Sequence, residues 1–250
     1  MDTIYELLLL VGIGFFAGAI NTIAGGGSLL TLPVLIFLGL SPAVANGTNR
    51  VAILFQNVFN TAGFRSKGIK TFPFSIYLGI AALCGAIIGV QIAIDIKGAI
   101  FNKILAIVML LVVVYMVSGF KTKVSFLVEQ TSGKKLWTSI ILFFFIGIYG
   151  GFIQAGVGFI MLVVLTSVNQ LTLVKSNAVK VMVVLIYTIV ALIMFWMNDS
   201  VDWTYGLMLA LGNSTGGWLA SRWSVKKGDA VVRKIVVFII VVMAIKLWFF

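Results

Sequence analysis

The sequence predicts an all-α polytopic membrane protein. It reads as about eight membrane helical segments in two inverted-topology repeats, each beginning with a Gly-broken helix or re-entrant hairpin. Three observations predict this. First, the 250 residues are 61% hydrophobic and only 10% charged, with mean hydropathy +1.17; a soluble domain carries about a quarter charged residues. Second, the apolar runs are far longer than strands, and three prolines in repeated long runs argue for helices over a β-barrel. Third, the chain loosely repeats itself, and its charges set the two copies in opposite orientations.

Taken in order, the apolar segments fall at about 4–23, 28–40, 44–64, 72–95, 99–118, 136–154, 157–169, 173–197, 202–222 and 231–250. A spanning helix needs about 20 apolar residues. The segments 28–40 and 157–169 are too short, and each follows a glycine cluster. Stretches 4–40 and 136–169 therefore read as broken helices or hairpins. Lipid offers no partners to backbone groups freed by such a break, so it is tolerated only within protein or beside a cavity.

The first copy runs Gly14-Phe15-Phe16-Ala17-Gly18, Asn21, Gly25-Gly26-Gly27-Ser28, Pro33; the second runs Gly147-Ile148-Tyr149-Gly150-Gly151, Gln154, Gly156-Val157-Gly158. At an offset of 131, Gly25 meets Gly156, Gly27 meets Gly158, Ser41 meets Thr172, Asn46 meets Asn177 and Gly85 meets Gly216. Gly14 and Gly18 match at 133. The division is a first repeat at 1–118, a cytoplasmic connector at 119–135 and a second repeat at 136–250, together one membrane domain.

Arg65, Lys67 and Lys70 mark one cytoplasmic loop; Lys121, Lys123, Lys134 and Lys135 mark a second; Arg222, Lys226, Lys227, Arg233 and Lys234 mark a third. Asn198 to Asp202 lacks Lys and Arg and reads as outside. Segment 44–64 then runs out to in, and 173–197 in to out. The halves are inverted, an architecture of secondary transporters, and both termini are expected outside. The acidic start (Asp2, Glu6) differs from the positive n-region of a secretory signal, so the run from Leu7 is expected in the mature protein.

Gly25, Gly26, Gly27 and Ser28, with Gly156 and Gly158, are the leading site candidates. A glycine break exposes N–H groups at the start of the next half-helix, and those donors with the helix dipole favour an anion. The alternative is close helix packing, which suits the i,i+4 glycine pairs such as Gly85/Gly89 better. Asn46, Asn49, Arg50, Asn57 and Asn60 share one side of a single segment. A polar stripe in a membrane helix faces the bundle interior or a water cavity. Lys180, beside Asn177, is similarly placed in the second half. Two inward cations near two half-helix N-termini make an anion site of the right sign; snorkelling to the interface is the competing explanation. Asn21 and Gln154, with Gln56, Thr31 and Thr48, offer neutral hydrogen bonds either to a substrate or between helices.

Several classes are excluded or disfavoured. The chain has no histidine, which removes the usual ligand and general base of a membrane metalloenzyme. Its seven acidic residues lie at or beyond segment ends, Glu6 about a turn inside, which disfavours a cation carrier. Net charge +11 is ordinary positive-inside asymmetry, with no soluble face for nucleic acid. The match of Gly12-Ile13-Gly14-Phe15-Phe16-Ala17 to a dinucleotide fingerprint lacks a strand and a βαβ unit. No metal, cofactor or catalytic residue is expected. The partners are a small anion and the lipid bilayer; a coupling ion (proton or sodium) and a homodimer are left open.

Residues 14–60 carry a specific resemblance. Asn21-Thr22-Ile23-Ala24-Gly25-Gly26-Gly27-Ser28, Leu32-Pro33 and Ala45-Asn46-Gly47-Thr48-Asn49 resemble the TauE/SafE family, and the second half echoes them across the rest of the chain. The second motif departs from the pattern: Phe159 follows Gly158, and no proline stands in the place of Pro33. The resemblance implies a bacterial inner-membrane permease for small sulfur-containing anions such as sulfite or sulfoacetate, mostly exporting. An anion channel and a non-transporting scaffold subunit are the competing readings.

Overall fold

The computed structural model describes residues 4–117 and 128–223. The expected last segment, 231–250, lies outside the described residues, as do most of the connector and Lys226, Lys227, Arg233 and Lys234. The described residues form helices and no strand: α1 (Ile4–Ala24), α2 (Ser28–Phe37), α3 (Pro42–Arg65), α4 (Phe74–Asp95), α5 (Gly98–Val117), α6 (Gly133–Phe152), α7 (Val157–Ser167), α8 (Leu173–Met197) and α9 (Trp203–Trp223). Helices α1, α4, α6 and α8 are long and apolar enough to cross a membrane. Helix α3 is longer than three of them but carries the polar stripe, and the whole stripe is buried.

The short segments are helices of 10 and 11 residues. At 1.5 Å per residue they extend about 15–17 Å, half a bilayer core. Each folds back on the helix before it. A Cβ at Gly27 would lie 2.4 Å from the carbonyl oxygen of Ala17, and one at Gly150 would lie 3.3 Å from Val157. Matching caps open α3 and α8: Ser41 accepts from the Val44 N–H and Thr172 from the Lys175 N–H.

Helix pairing repeats between the halves. α1 packs on α9 as α6 packs on α4, and α3 packs on α9 as α8 packs on α4, while α3 and α8 cross each other. Small residues permit the closest approaches, as is usual between membrane helices. Gly14 and Gly18 face Asn213 of α9; Gly147 and Gly151 face Ala82 and Ala86 of α4. Substituting Gly147 by alanine places a Cβ 2.1 Å from the Ala82 carbonyl oxygen, and overpacking of this kind costs about 1–3 kcal/mol. Gly12 has nothing within 4 Å of its missing Cβ, so Gly12→Ala should leave stability equal or about 0.5–1 kcal/mol higher. Thermal melting in detergent separates the two, and equal melting points would contradict the α4–α6 packing.

The two ends of the bundle differ in charge. The loop after Arg65 packs through Ile69 on Phe64, Ala178 and Val181, the cluster that also takes Val174 at the start of α8, where Lys175 pairs with Glu129. Gly63 meets Ser221 near the end of α9, and α6 begins nearby, with Ser139 bonded to Asn169. At the opposite end Glu6 accepts from the Tyr205 hydroxyl, and the Asp202 N–H bonds Thr48. Thus α1 and α6 enter the bundle from opposite ends.

Candidate functional site

The candidate site lies where the two helix breaks meet. The chain leaves α1 at Gly25, with φ +85°, and leaves α6 through Gln154 and Gly156, with φ +61° and +72°. Only glycine enters this left-handed region freely, so Gln154 is held there by its surroundings. The breaks touch each other: a Cβ on Gly25 would lie 2.5 Å from the Gly158 carbonyl carbon, and one on Gly158 would lie 2.4 Å from Gly25 Cα.

A helix that stops inside protein leaves its last carbonyls without partners and with partial negative charge. Here each half supplies the caps for the other. From α3, Arg50 donates to the Gly151 carbonyl at 2.8 Å and Asn46 to the Phe152 carbonyl at 2.7 Å, at the end of α6. From α8, Lys180 donates to the Asn21 and Thr22 carbonyls at 2.8 and 3.3 Å, and Asn177 to the Ile23 carbonyl at 3.3 Å, at the end of α1. Within each pair the asparagine oxygen accepts from its own cation, at 3.2 Å for Asn46 and 2.7 Å for Asn177. The sequence suggested that the cations sit by the amino ends of α2 and α7. Their donors instead lie on the carboxyl ends of α1 and α6, where carbonyls with partial negative charge attract them, although the Asn21 carbonyl also accepts from the Gly25 N–H at 2.9 Å. Both cations are buried, so neither snorkels.

Neutral groups complete the ring. The Gln154 side-chain oxygen accepts from Arg50 at 2.9 Å and from the Tyr187 hydroxyl at 2.8 Å. The Arg50 guanidinium also stands 5.5 Å from the centre of the Phe195 ring, a distance at which a cation is drawn to the ring face. Asn21 donates to Gln56, which donates to the Gly18 carbonyl and to Thr22. Thr31 of α2 donates to the Asn49 oxygen at 2.7 Å. Asn57 bonds the Ile53 carbonyl of its own helix. Tyr187 and Phe195 were not among the sequence candidates. Tyr187 had a signal, because it stands 131 residues after Gln56 and performs the matching task for Gln154 that Gln56 performs for Asn21.

Around Arg50, the groups left unfilled among the described residues are donors. The Asn49 amide nitrogen and the Arg50 Nε are buried without an acceptor. No acceptor among the described residues takes the N–H groups of Gly26, Gly27 or Ser28 at the start of α2. Buried polar groups are normally satisfied; beside Arg50 the vacant ones are N–H donors, while farther along α3 the Asn60 side-chain oxygen is also unpartnered among the described residues. Among the described residues the one ion pair is Lys175 with Glu129, so no carboxylate balances Arg50 or Lys180.

A family model described as "Sulfite exporter TauE/SafE" matches residues 10–247. Curated relatives of similar length carry the name "Probable membrane transporter protein". One from Haemophilus influenzae is 27% identical, covering 99% of this chain and 96% of the relative. ORF9 of a Sinorhizobium species is 24% identical over 98% and 94%. YfcA of Escherichia coli K12 is 26% identical over 96% and 90%. No solved structure matches.

Proposed function

The chain belongs to the sulfite exporter TauE/SafE family, and from that premise we propose that it is a secondary transporter, not an enzyme, carrying a small sulfur-containing anion out across the bacterial inner membrane. One observation carries the anion assignment: two cations, Arg50 and Lys180, are buried on helices packed against each other, with no carboxylate beside them among the described residues. A buried charge is costly unless paired, and a substrate anion is the missing partner. The donors for it are Asn49 Nδ2, Arg50 Nε and the N–H groups of Gly26, Gly27 and Ser28, with Gly156 and Gly158 opposite. Asn46, Asn177, Asn21 and Gln154 hold the cations and the helix ends in place.

The opposed entry of α1 and α6 and the repeated pairing support two inverted repeats. Alternating access then rocks one repeat against the other about the crossing of the breaks. The positive end faces the cytoplasm by the charge rule, which puts the start of α1 outside. Sulfite and organosulfonates such as sulfoacetate fit a compact site of N–H donors.

Thermal melting of the purified protein against sulfite, sulfoacetate, taurine, acetate and chloride tests this reading. A ligand at 100 times its Kd stabilises the folded state by about 2.7 kcal/mol. A sulfur oxyanion should raise the melting point and drive saturable flux in proteoliposomes. Stabilisation by cations alone would overturn the anion site, and non-saturating conductance would favour a channel.

A further inference from the structure

A concave surface lies between α3 and α9, on a face of α3 lined by exposed aromatic residues. It is a groove of about 800 Å³ walled by Phe55, Phe59, Leu207, Leu211 and Trp218, with Ser214 on its floor. The two helices run side by side in the same direction, since Gly47 meets Ser200, Gly206 meets Val51 and Gly63 meets Ser221. Their carboxyl ends therefore coincide, and each carries an exposed arginine, Arg65 and Arg222. Arg222 stacks on Trp218, 4.8 Å from the ring centre, at the end of the groove. Neither arginine has a carboxylate partner among the described residues. Lys67 follows two residues after Arg65 and is also exposed.

An apolar channel that ends in unbalanced cations has the polarity of an anionic amphiphile. Packing against tails alone would need no charge at the mouth, and a uniform lipid-facing surface would be convex. We propose that the groove binds an anionic glycerophospholipid, with an acyl chain along Phe55, Phe59, Leu207 and Leu211 and its phosphate on Arg65 and Arg222. The volume lies within the range of small-ligand sites, about 300–1,000 Å³. A juxtamembrane cation contributes about fivefold in affinity for an anionic lipid surface.

Native mass spectrometry of the delipidated full chain with added phosphatidylglycerol or phosphatidylcholine tests the site. Phosphatidylglycerol should be retained in preference. Arg65→Gln and Arg222→Gln should each lower its retention about fivefold, with melting in lipid-free detergent unchanged. Thr215→Trp, which fills the groove without removing either arginine, should lower it as well. Equal retention of the two lipids, or unchanged retention in the Arg65→Gln/Arg222→Gln variant, would overturn the proposal. A benzophenone side chain in place of Leu211 identifies the occupant: a phospholipid adduct supports the site, whereas a crosslink to residues 224–250 or to a second copy overturns it.

Discussion

Replacing Arg50 by methionine is expected to abolish transport and to destabilise the protein by about 3–5 kcal/mol, the usual cost of breaking a buried charged network. The substitution keeps an unbranched apolar stem and removes every donor. It leaves the Gly151 carbonyl and the Asn46 side-chain oxygen without their Arg50 donor, and Gln154 with Tyr187 alone. Each buried acceptor left unsatisfied costs about 1–3 kcal/mol. Arg50→Lys separates the two tasks. One ammonium can reach one or two of these oxygens, so melting should recover in part. It cannot present a second planar arm to a substrate, so flux should stay low. A lysine variant with full flux would show that charge alone is needed.

Lys180→Met is the matching case, leaving the Thr22 carbonyl without its Lys180 donor and the Asn21 carbonyl with the Gly25 N–H alone. The two cations share no partner among the described residues, so without ligand their costs should add within about 0.3–0.5 kcal/mol. A substrate bound between them would couple them. Melting the single variants and the double variant with and without sulfite gives the coupling directly, and coupling present only with the anion is the expected result. No coupling in either condition would leave the cations as helix caps without a shared ligand.

Much of the fold was legible in the sequence. Glycine breaks beside apolar runs of half a bilayer's length located α2 and α7 to within a few residues, because no lipid-facing helix can stop there. The 131-residue offset matched Ser41 with Thr172, which cap α3 and α8, and Asn46 with Asn177, which hold opposite helix ends. An offset identifies equivalent residues and says nothing of neighbours. Gly25 aligns with Gly156 yet touches Gly158. That Arg50 serves the helix end of the other half is a fact of tertiary geometry between residues about 100 positions apart. Gln154 was legible as a polar residue near a break, but its left-handed backbone was not, because that conformation accompanies tertiary bonds from Arg50 and Tyr187 to its side chain.

The crossing of the two breaks should tolerate no added atom. Gly25→Ala meets two obstacles: a left-handed backbone, worth about 1–2 kcal/mol to an L residue, and a Cβ 2.5 Å from the Gly158 carbonyl carbon. Gly158→Ala meets only the second, with its Cβ 2.4 Å from Gly25 Cα and 2.6 Å from the Gly25 carbonyl oxygen. Backbone cannot rotate away as a side chain can, so the breaks must separate. Gly156→Ala keeps the left-handed strain, but its nearest neighbour is the Val112 side chain at 2.9 Å, which can yield. The expected order of lost stability is therefore Gly25, Gly158, Gly156. Flux should fall more steeply than stability at the first two. Moving the Gly26–Ser28 donors about 1 Å from the groups around Gln154 dismantles a site that works by placement; in enzyme sites an error of about 1 Å costs about a hundredfold in rate. Initial rates in proteoliposomes, normalised to folded protein, measure this. Wild-type flux in Gly158→Ala would mean that the contact between the breaks plays no part in transport.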